Sequence, residues 1–325
     1  MSEQADIGKL FSNKKLFQIT CIHKSTHVSK CLPFVIAFTL SNKFIGVLFV
    51  LITLASVRGL CAVFLQLCSE IRVEKKDKIL VITFDNPKKR NSLNRKAYKE
   101  LGLVLREVDK DNSVTTVVIT GKGDFFTSGN DLSQSADAFL DLETFIKESN
   151  VIFKEMVSAL IDCTKLTIAL INGPCIGIGA TLTALCDIVW CSSTAYFLTP
   201  FTKLGLVTEA CSSYTFPLIL GRSKANEMLL LSEKMTAQEA YNHSFVSKIF
   251  EPAELETNIW PKLREFSELP PESLQTSKRL IRQHERDTIY RSLNAESEEL
   301  YKRLLSEEFT NALVAFANRK NKSKL

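Results

Sequence analysis

Glycine and proline are scarce in this chain, at 12 and 9 of 325 residues, while 45% of it is hydrophobic and 24% charged. That balance excludes disorder on a whole-chain scale. Charge of one sign is also lacking. Lysine and arginine number 41 against 36 aspartates and glutamates, a formal net charge of +5. The bases are scattered among acids instead of clustering on one element, which argues against a nucleic-acid partner. Only Lys88-Lys89-Arg90 forms a short basic run. The four histidines are dispersed and the cysteines show no paired zinc-ligand spacing, so no metal site is expected. The nine cysteines are odd in number and sit mostly in apolar runs, as Cys175 and Cys186 do. That favours reduced, packed thiols in an intracellular compartment over a disulfide framework.

No apolar run reaches the roughly 20 residues that span a bilayer. The longest, Phe44 to Val57, has 14 and is followed by Arg58 and a second stretch, Gly59 to Leu67. Joining them across a membrane would carry Arg58 inside, at a cost of about 2.5–3.5 kcal/mol near the centre. Residues 1–69 therefore form a region of their own with three readings: a membrane anchor through 44–67, a buried or interfacial helix, or a non-native leader. A cleavable signal peptide fits poorly, because the run begins too far from Met1.

From Glu70 onward the pattern is regular. Ile79 to Phe84, Val114 to Thr120 and Leu166 to Ile171 read as buried strands. Leu101, Val104, Leu105 and Val108 have helical spacing, which predicts a helix over 94–110. Residues 133–163 have helical tendency, and a small-residue helix starts near Gly177. Strand–helix alternation gives an α/β architecture. From Pro270 the chain is helical and charged, with Ser306-Glu307-Glu308 as a cap for the last helix. The expected division is an N-terminal segment, 1–69, a core, 70–265, and a C-terminal helical region, 266–325.

Two segments are unlike ordinary connectors: Phe125 to Leu132 and Asn172 to Ala180. Each follows a buried strand and brings glycines to its end, where backbone N–H groups can approach a ligand. Two such amides on one oxygen would make an oxyanion hole. The alternative is a pair of tight strand-to-helix turns.

These two loops, with Asn86-Pro87, Asn91-Ser92-Leu93-Asn94 and Cys186-Asp187-Ile188-Val189, resemble the enoyl-CoA hydratase/isomerase (crotonase) superfamily over residues 70–325. The resemblance implies a spiral of ββα units with a C-terminal helical region that forms trimers, some paired into hexamers. It implies an acyl-CoA thioester as substrate, with coenzyme A part of that substrate and no separate cofactor. By motif position, the oxyanion amides are those of Asn130 and Ile178. Ser128, Gly129, Asn130, Asp131, Leu132 and Gly177 would flank the thioester. Lys88, Lys89 and Arg90 match positions that meet CoA phosphates, although a solvated charge run would look the same.

Hydratases of this superfamily use two glutamates; Thr181 and Phe201 occupy those positions here. One carboxylate remains, in Leu204-Gly205-Leu206-Val207-Thr208-Glu209-Ala210-Cys211. Small and apolar neighbours would desolvate it and raise its basicity. On the residues alone, Glu209 also reads as a helix N-terminal glutamate capped through Thr208. However, the segment is similar to peroxisomal Δ3,Δ2-enoyl-CoA isomerases through Ser213-Tyr214-Thr215-Phe216-Pro217 and Leu269-Pro270-Pro271, where one glutamate is the catalytic base. That resemblance implies an isomerase converting 3-enoyl-CoA to trans-2-enoyl-CoA in β-oxidation of unsaturated fatty acids. Another crotonase-type reaction, or a non-catalytic CoA-binding module, is the alternative. The terminal Ser323-Lys324-Leu325 reads as a peroxisomal address recognised by the import receptor, which places the protein in the matrix.

Overall fold

The computed structural model describes residues 18–21, 36–40, 43–48, 70–132 and 141–322. The chain divides into two compact units, Met1–Cys68 and Ser69–Leu325. In the first, β1 (Gln18–Cys21), β2 (Ile36–Leu40) and β3 (Lys43–Leu48) form an antiparallel sheet in that order. Helix, one reading of the run from Phe44, does not hold for residues 43–48. Ile45 and Val47 are β-branched and Gly46 lies between them, all unfavourable to helix. The rest of that run lies outside the described residues. Among the described residues no helix is long and apolar enough to cross a membrane.

The second unit is built on a six-stranded sheet. Its members are β4 (Ile71–Lys76), β5 (Ile79–Phe84), β6 (Thr116–Gly121), β7 (Leu166–Ile171), β9 (Ile188–Ser192) and β12 (Lys248–Phe250). The order is β12-β9-β7-β6-β5-β4, parallel throughout except for the β4–β5 hairpin at one edge. Strand β7 reads LTIALI and is buried at every position, as a parallel strand covered on both faces must be. Side chains alternate between two cores. Ile82, Phe84, Val117, Ile119, Ala169 and Ile171 enter one cluster, while Ile79, Val81, Val118, Ile168 and Leu170 enter the other with Trp260 and Leu263.

Helices α1 (Arg95–Asp109) and α2 (Leu142–Asp162) cover the first face. The Asn94 side chain caps α1 by accepting from the Ala97 N–H at 2.9 Å. The two helices approach closely because Gly102 leaves room for the Met156 backbone. A second, smaller sheet holds β8 (Cys175–Ile176), β10 (Tyr196–Leu198) and β11 (Met235–Thr236). Short helices α3 (Ile178–Thr183), α4 (Ser212–Leu220), α5 (Arg222–Leu229) and α6 (Ala237–Asn242) follow these strands.

The C-terminal region is helical, as expected: α7 (Trp260–Ser267), α8 (Pro271–Arg282), α9 (Arg286–Leu304) and α10 (Glu307–Lys322). Asp187, from the motif before β9, fixes α8 to the sheet. It accepts from the Thr167 N–H at 2.8 Å and pairs with Lys278 at 2.6 Å and Arg282 at 2.9 Å. Helix α9 joins α2 through Asn150 Nδ2 to the Ser297 carbonyl, 3.1 Å, and Tyr290 Oη to Asp162, 2.7 Å. Ser306 caps α10, accepting from the Phe309 N–H at 3.2 Å. Cys163, Cys175, Cys186, Cys191 and Cys211 are free and buried, and burial pushes the Cys186 and Cys191 thiols up to about 12.

Candidate active site

The loops after β6 and β7 lie at the carboxyl ends of parallel strands, where open α/β sheets place their ligands. Two asparagines, Asn91 buried and Asn172 half-buried, stitch them together. Asn91 Nδ2 donates to the carbonyls of Lys122 and Phe125, at 2.9 and 2.7 Å, and its Oδ1 accepts from the Asn86 N–H at 3.0 Å. Asn172 Oδ1 accepts from the Gly121 N–H at 3.0 Å. Thr127 Oγ1 donates to the Asn91 carbonyl at 2.6 Å and accepts from the Gly129 N–H at 3.1 Å. The Thr127 carbonyl in turn accepts from the Ile176 N–H at 3.0 Å, so the two loops run side by side.

Gly129 and Gly177 meet where the loops cross. Both are left-handed, with φ of 88° and 58°. A Cβ on Gly129 would sit 3.0 Å from the Ile176 carbonyl oxygen and 3.6 Å from the Gly177 Cα. Asn130 and Ile178 follow these glycines directly. Among the described residues neither of their backbone N–H groups is used within the chain. The predicted pair is therefore brought together by backbone contact. The Gly177 N–H is anchored to the Leu198 carbonyl at 2.8 Å, and Ile178 opens α3.

The flanking residues sort themselves. Ser128 is half-buried and its Oγ donates to the Lys89 carbonyl at 3.3 Å. Leu132 is half-buried. Asp131 pairs with Lys89 at 2.7 Å. Lys89 is thus turned back onto the loop, and its hydrogen bond to Asp131, helped by the charge there, raises its affinity for its proton. The Arg90 guanidinium lies over the Phe125 ring, 5.3 Å from its centroid. Lys88 is exposed. The basic run is therefore not a uniform solvated face; two of its three members are engaged locally.

Glu209 lies between the turn Thr202–Leu204 and α4. It is not a helix N-terminal residue capped through Thr208. Helix α4 begins only at Ser212, after Ala210 and Cys211 adopt left-handed φ of 52° and 66°. Such conformations are strained for residues with a Cβ and need the surrounding structure to hold them. The support comes from Glu296 on α9, which is 6% exposed. Its Oε2 accepts from the Cys211 N–H at 2.6 Å and its Oε1 from the Ser213 N–H at 2.7 Å. Glu209 keeps partial exposure as a residue. Burial nonetheless pushes its carboxylate from an ordinary 4.5 up to about 8, with the negative charge of Glu296 adding to the shift.

Tyr98, buried on α1, ties the two halves of the site together. Its phenol donates to Asn130 Oδ1 at 3.2 Å and is packed edge-on against Phe153, centroids 5.9 Å apart. Burial, and then the charge of Glu209, hold its proton well above the usual phenol range. Neither Tyr98 nor Glu296 is marked in the sequence by a motif. At the two positions that the resemblance assigns to hydratase glutamates, Thr181 is fully buried, its Oγ1 donating to the Ile178 carbonyl at 3.2 Å, and Phe201 is buried in the core. A separate cavity of about 500 Å³ opens between α2, α8 and α9, lined by Asp162, Thr164, Lys278, Arg279, Arg282 and Arg286 among others. Glu209, Asn130 and Ile178 do not line it.

Comparison with known proteins gives the family. The profile described as enoyl-CoA hydratase/isomerase matches residues 74–324. The chain belongs to the enoyl-CoA hydratase/isomerase family. It is 40% identical over 252 residues to the rat protein "Enoyl-CoA delta isomerase 2", covering 78% of this chain and 64% of that protein. It is 40% identical over 256 residues to the mouse "Enoyl-CoA delta isomerase 3, peroxisomal", covering 79% of this chain and 80% of that protein. The chain thus spans about two thirds of the length of the rat relative. Among solved structures, an enoyl-CoA hydratase/isomerase from Pseudoalteromonas atlantica T6c superimposes with a TM-score of 0.71 at 30% identity, covering 77% of this chain and 98% of that one. The crotonase-type α/β fold implied by the motifs is therefore the fold of this chain.

Proposed function

We propose that this protein is a Δ3,Δ2-enoyl-CoA isomerase in which Glu209 carries the proton for both half-reactions. The observation that carries the reading is a carboxylate raised to about 8, linked through Tyr98 to the loop that presents the Asn130 amide. A general base works best when its affinity for the proton lies near the working pH. The α-proton of a 3-enoyl thioester is acidified by the carbonyl and by the adjacent double bond. Glu209 takes it from C2. The C–H electron pair forms a C1=C2 bond, and the carbonyl pair comes to rest on the thioester oxygen. C3=C4 stays in place, giving a dienolate whose double bond shifts to C2=C3 only when C4 is protonated. The backbone N–H groups of Asn130 and Ile178 stabilise that oxygen. The same carboxylic acid returns the proton at C4, giving the trans-2-enoyl thioester. Proton count and charge balance without a further reactant, so the chemistry needs no cofactor beyond the coenzyme A of the substrate.

Hydration needs an activated water and an acid together, and Thr181 and Phe201 supply neither. The relatives named as enoyl-CoA delta isomerases support the isomerase over a hydratase or an inert CoA-binding module. The direct test is purified protein with 3-enoyl-CoA, read as trans-2-enoyl-CoA formed. Hydroxyacyl-CoA as the main product, or no turnover with intact CoA binding, would select the other readings.

The same reading places the protein in the peroxisomal matrix as a trimer or hexamer. A mouse relative is named peroxisomal, and Ser323-Lys324-Leu325, outside the described residues, matches a receptor-read address. Removal of Leu325 is expected to abolish import and leave turnover intact. Persistent peroxisomal puncta would count against the address and revive a role for residues 44–67.

A further inference from the structure

We propose that Glu296 is a positioning residue for the proton transfer, holding the left-handed turn that displays Glu209 and setting a second negative charge near the base. The inference rests on Glu209 being that base.

The geometry is specific. A helix start is normally satisfied by its own N-cap side chain, from a residue in extended conformation. Here the N-cap is Cys211, left-handed and without a side-chain acceptor. The acceptor comes instead from Glu296, 85 residues away on α9. Its two oxygens take the N–H groups on either side of Ser212, from Cys211 and from Ser213. Each oxygen is used as an acceptor, which fits the ionised form at the positive end of a helix dipole. The first of these bonds holds the Ala210–Cys211 peptide itself, within the left-handed pair, and the second holds the helix start just beyond; Glu209 is the residue immediately before that pair.

A carboxylate is a costly way to fix a turn in a core, because a buried charge must be fully compensated. An apolar side chain would fill the space but leave the two N–H groups without acceptors. The charge also has a consequence that shape alone would not. The titratable groups around Glu209 are Glu296 from α9, the Tyr98 phenol from α1 and the Cys211 thiol of its own turn. Burial pushes the phenol and the thiol up, so both stay neutral where Glu209 titrates. Glu296 is then the charged neighbour. Burial raises its own proton affinity, while the bonds from Ser213 and Cys211 oppose that. Its negative charge disfavours a second anion and so strengthens Glu209 as a base.

The experiment is the pH profile of turnover for the full-length enzyme, for Glu296→Gln and for Glu296→Asp, with thermal unfolding of each. Activity rises with pH as Glu209 loses its proton. Glu296→Gln is expected to move that acid limb to lower pH by roughly half a unit or more, with lower turnover on its plateau. Glu296→Asp keeps the charge, so its limb should stay near that of the parent while its stability falls. If Glu296→Gln lowers turnover and stability with the limb unmoved, Glu296 is a structural cap only and the proposal is overturned. Should Glu296→Gln fail to fold, carboxyl-carbon NMR of the parent decides, with Glu209 assigned through Glu209→Gln. Glu296 must already be ionised where Glu209 titrates; a protonated Glu296 there overturns the proposal. Glu209→Gln also separates the two levels of the argument. If that variant turns over normally, the base assignment fails first. If it is dead while Glu296→Gln leaves the limb in place, only the role of Glu296 fails.

Discussion

The phenol of Tyr98 donates a 3.2 Å hydrogen bond to Asn130 Oδ1, and burial first, then the charge of Glu209, raise the proton affinity of that phenol. One buried side chain on α1 thus touches the loop that carries Asn130 and lies in the field of Glu209. Tyr98→Phe removes the hydroxyl and little else. Loss of one neutral hydrogen bond costs about 0.5–1.5 kcal/mol. The Asn130 side chain is freed while its backbone is still bracketed by the Leu93–Gly129 and Asp131–Leu93 bonds. Turnover is therefore expected to fall by no more than about tenfold, the equivalent of one such bond. A fall of a thousandfold, measured on folded protein, would make Tyr98 a participant in proton transfer.

The parts of this arrangement that the sequence makes legible are local. Strands β5 and β7 fall on the apolar runs Ile79 to Phe84 and Leu166 to Ile171 because a strand buried on both faces has no polar position to blur its ends. Helix α1 follows its apolar spacing and its Asn94 cap. Strand β6 begins two residues after Val114, since Val114 belongs to the turn bonded to the Asp111 carbonyl. Strand β4 is hidden, because IRVEKK is an edge strand with a largely exposed, charged end. The two glycine loops are visible because left-handed φ and close backbone approach demand glycine at Gly129 and Gly177. Glu209 is visible only through family resemblance. Its own neighbourhood reads better as a helix start, and the left-handed residues that postpone the helix, Ala210 and Cys211, are not the usual types for that conformation. Tyr98 and Glu296 reach the site through packing of α1 and α9, and no spacing in the chain announces them.

Stability should depend on pH through Glu209. Its folded value is raised from 4.5 to about 8, so the folded state holds its proton more tightly than the unfolded chain. The associated stability is fully present below pH 4.5 and is lost as pH rises to about 8. Glu209→Gln has no proton to lose. The variant is expected to be more stable than the parent at pH 9, by on the order of 1–3 kcal/mol after discounting for partial exposure. The difference should shrink toward pH 5. Denaturant unfolding at both pH values checks it, and equal differences at the two would mean that Glu209 does not titrate abnormally in the folded protein.

The same substitution should be far more costly to turnover than to folding. Glutamine keeps the size and hydrogen-bonding reach of Glu209 but cannot take a proton from carbon. General acid–base catalysis by one positioned group is typically worth 10²–10⁴-fold. Glu209 serves both the abstraction at C2 and the return at C4 in the proposed mechanism, so the loss is expected at or beyond the top of that range. Thioester affinity should change little, because in the proposed mechanism the oxygen is held by the backbone at Asn130 and Ile178. Thr181→Ala is the matching control. Thr181 stands where the family resemblance would put a hydratase glutamate, and its hydroxyl donates to the Ile178 carbonyl at 3.2 Å. Its removal should cost less than about tenfold, the scale of one neutral hydrogen bond. Turnover and thioester affinity measured on both folded variants decide the matter. Should Glu209→Gln retain more than about a tenth of parental turnover, a loss well short of the general-base range, the proton is carried by another group and the base must be sought elsewhere on these loops.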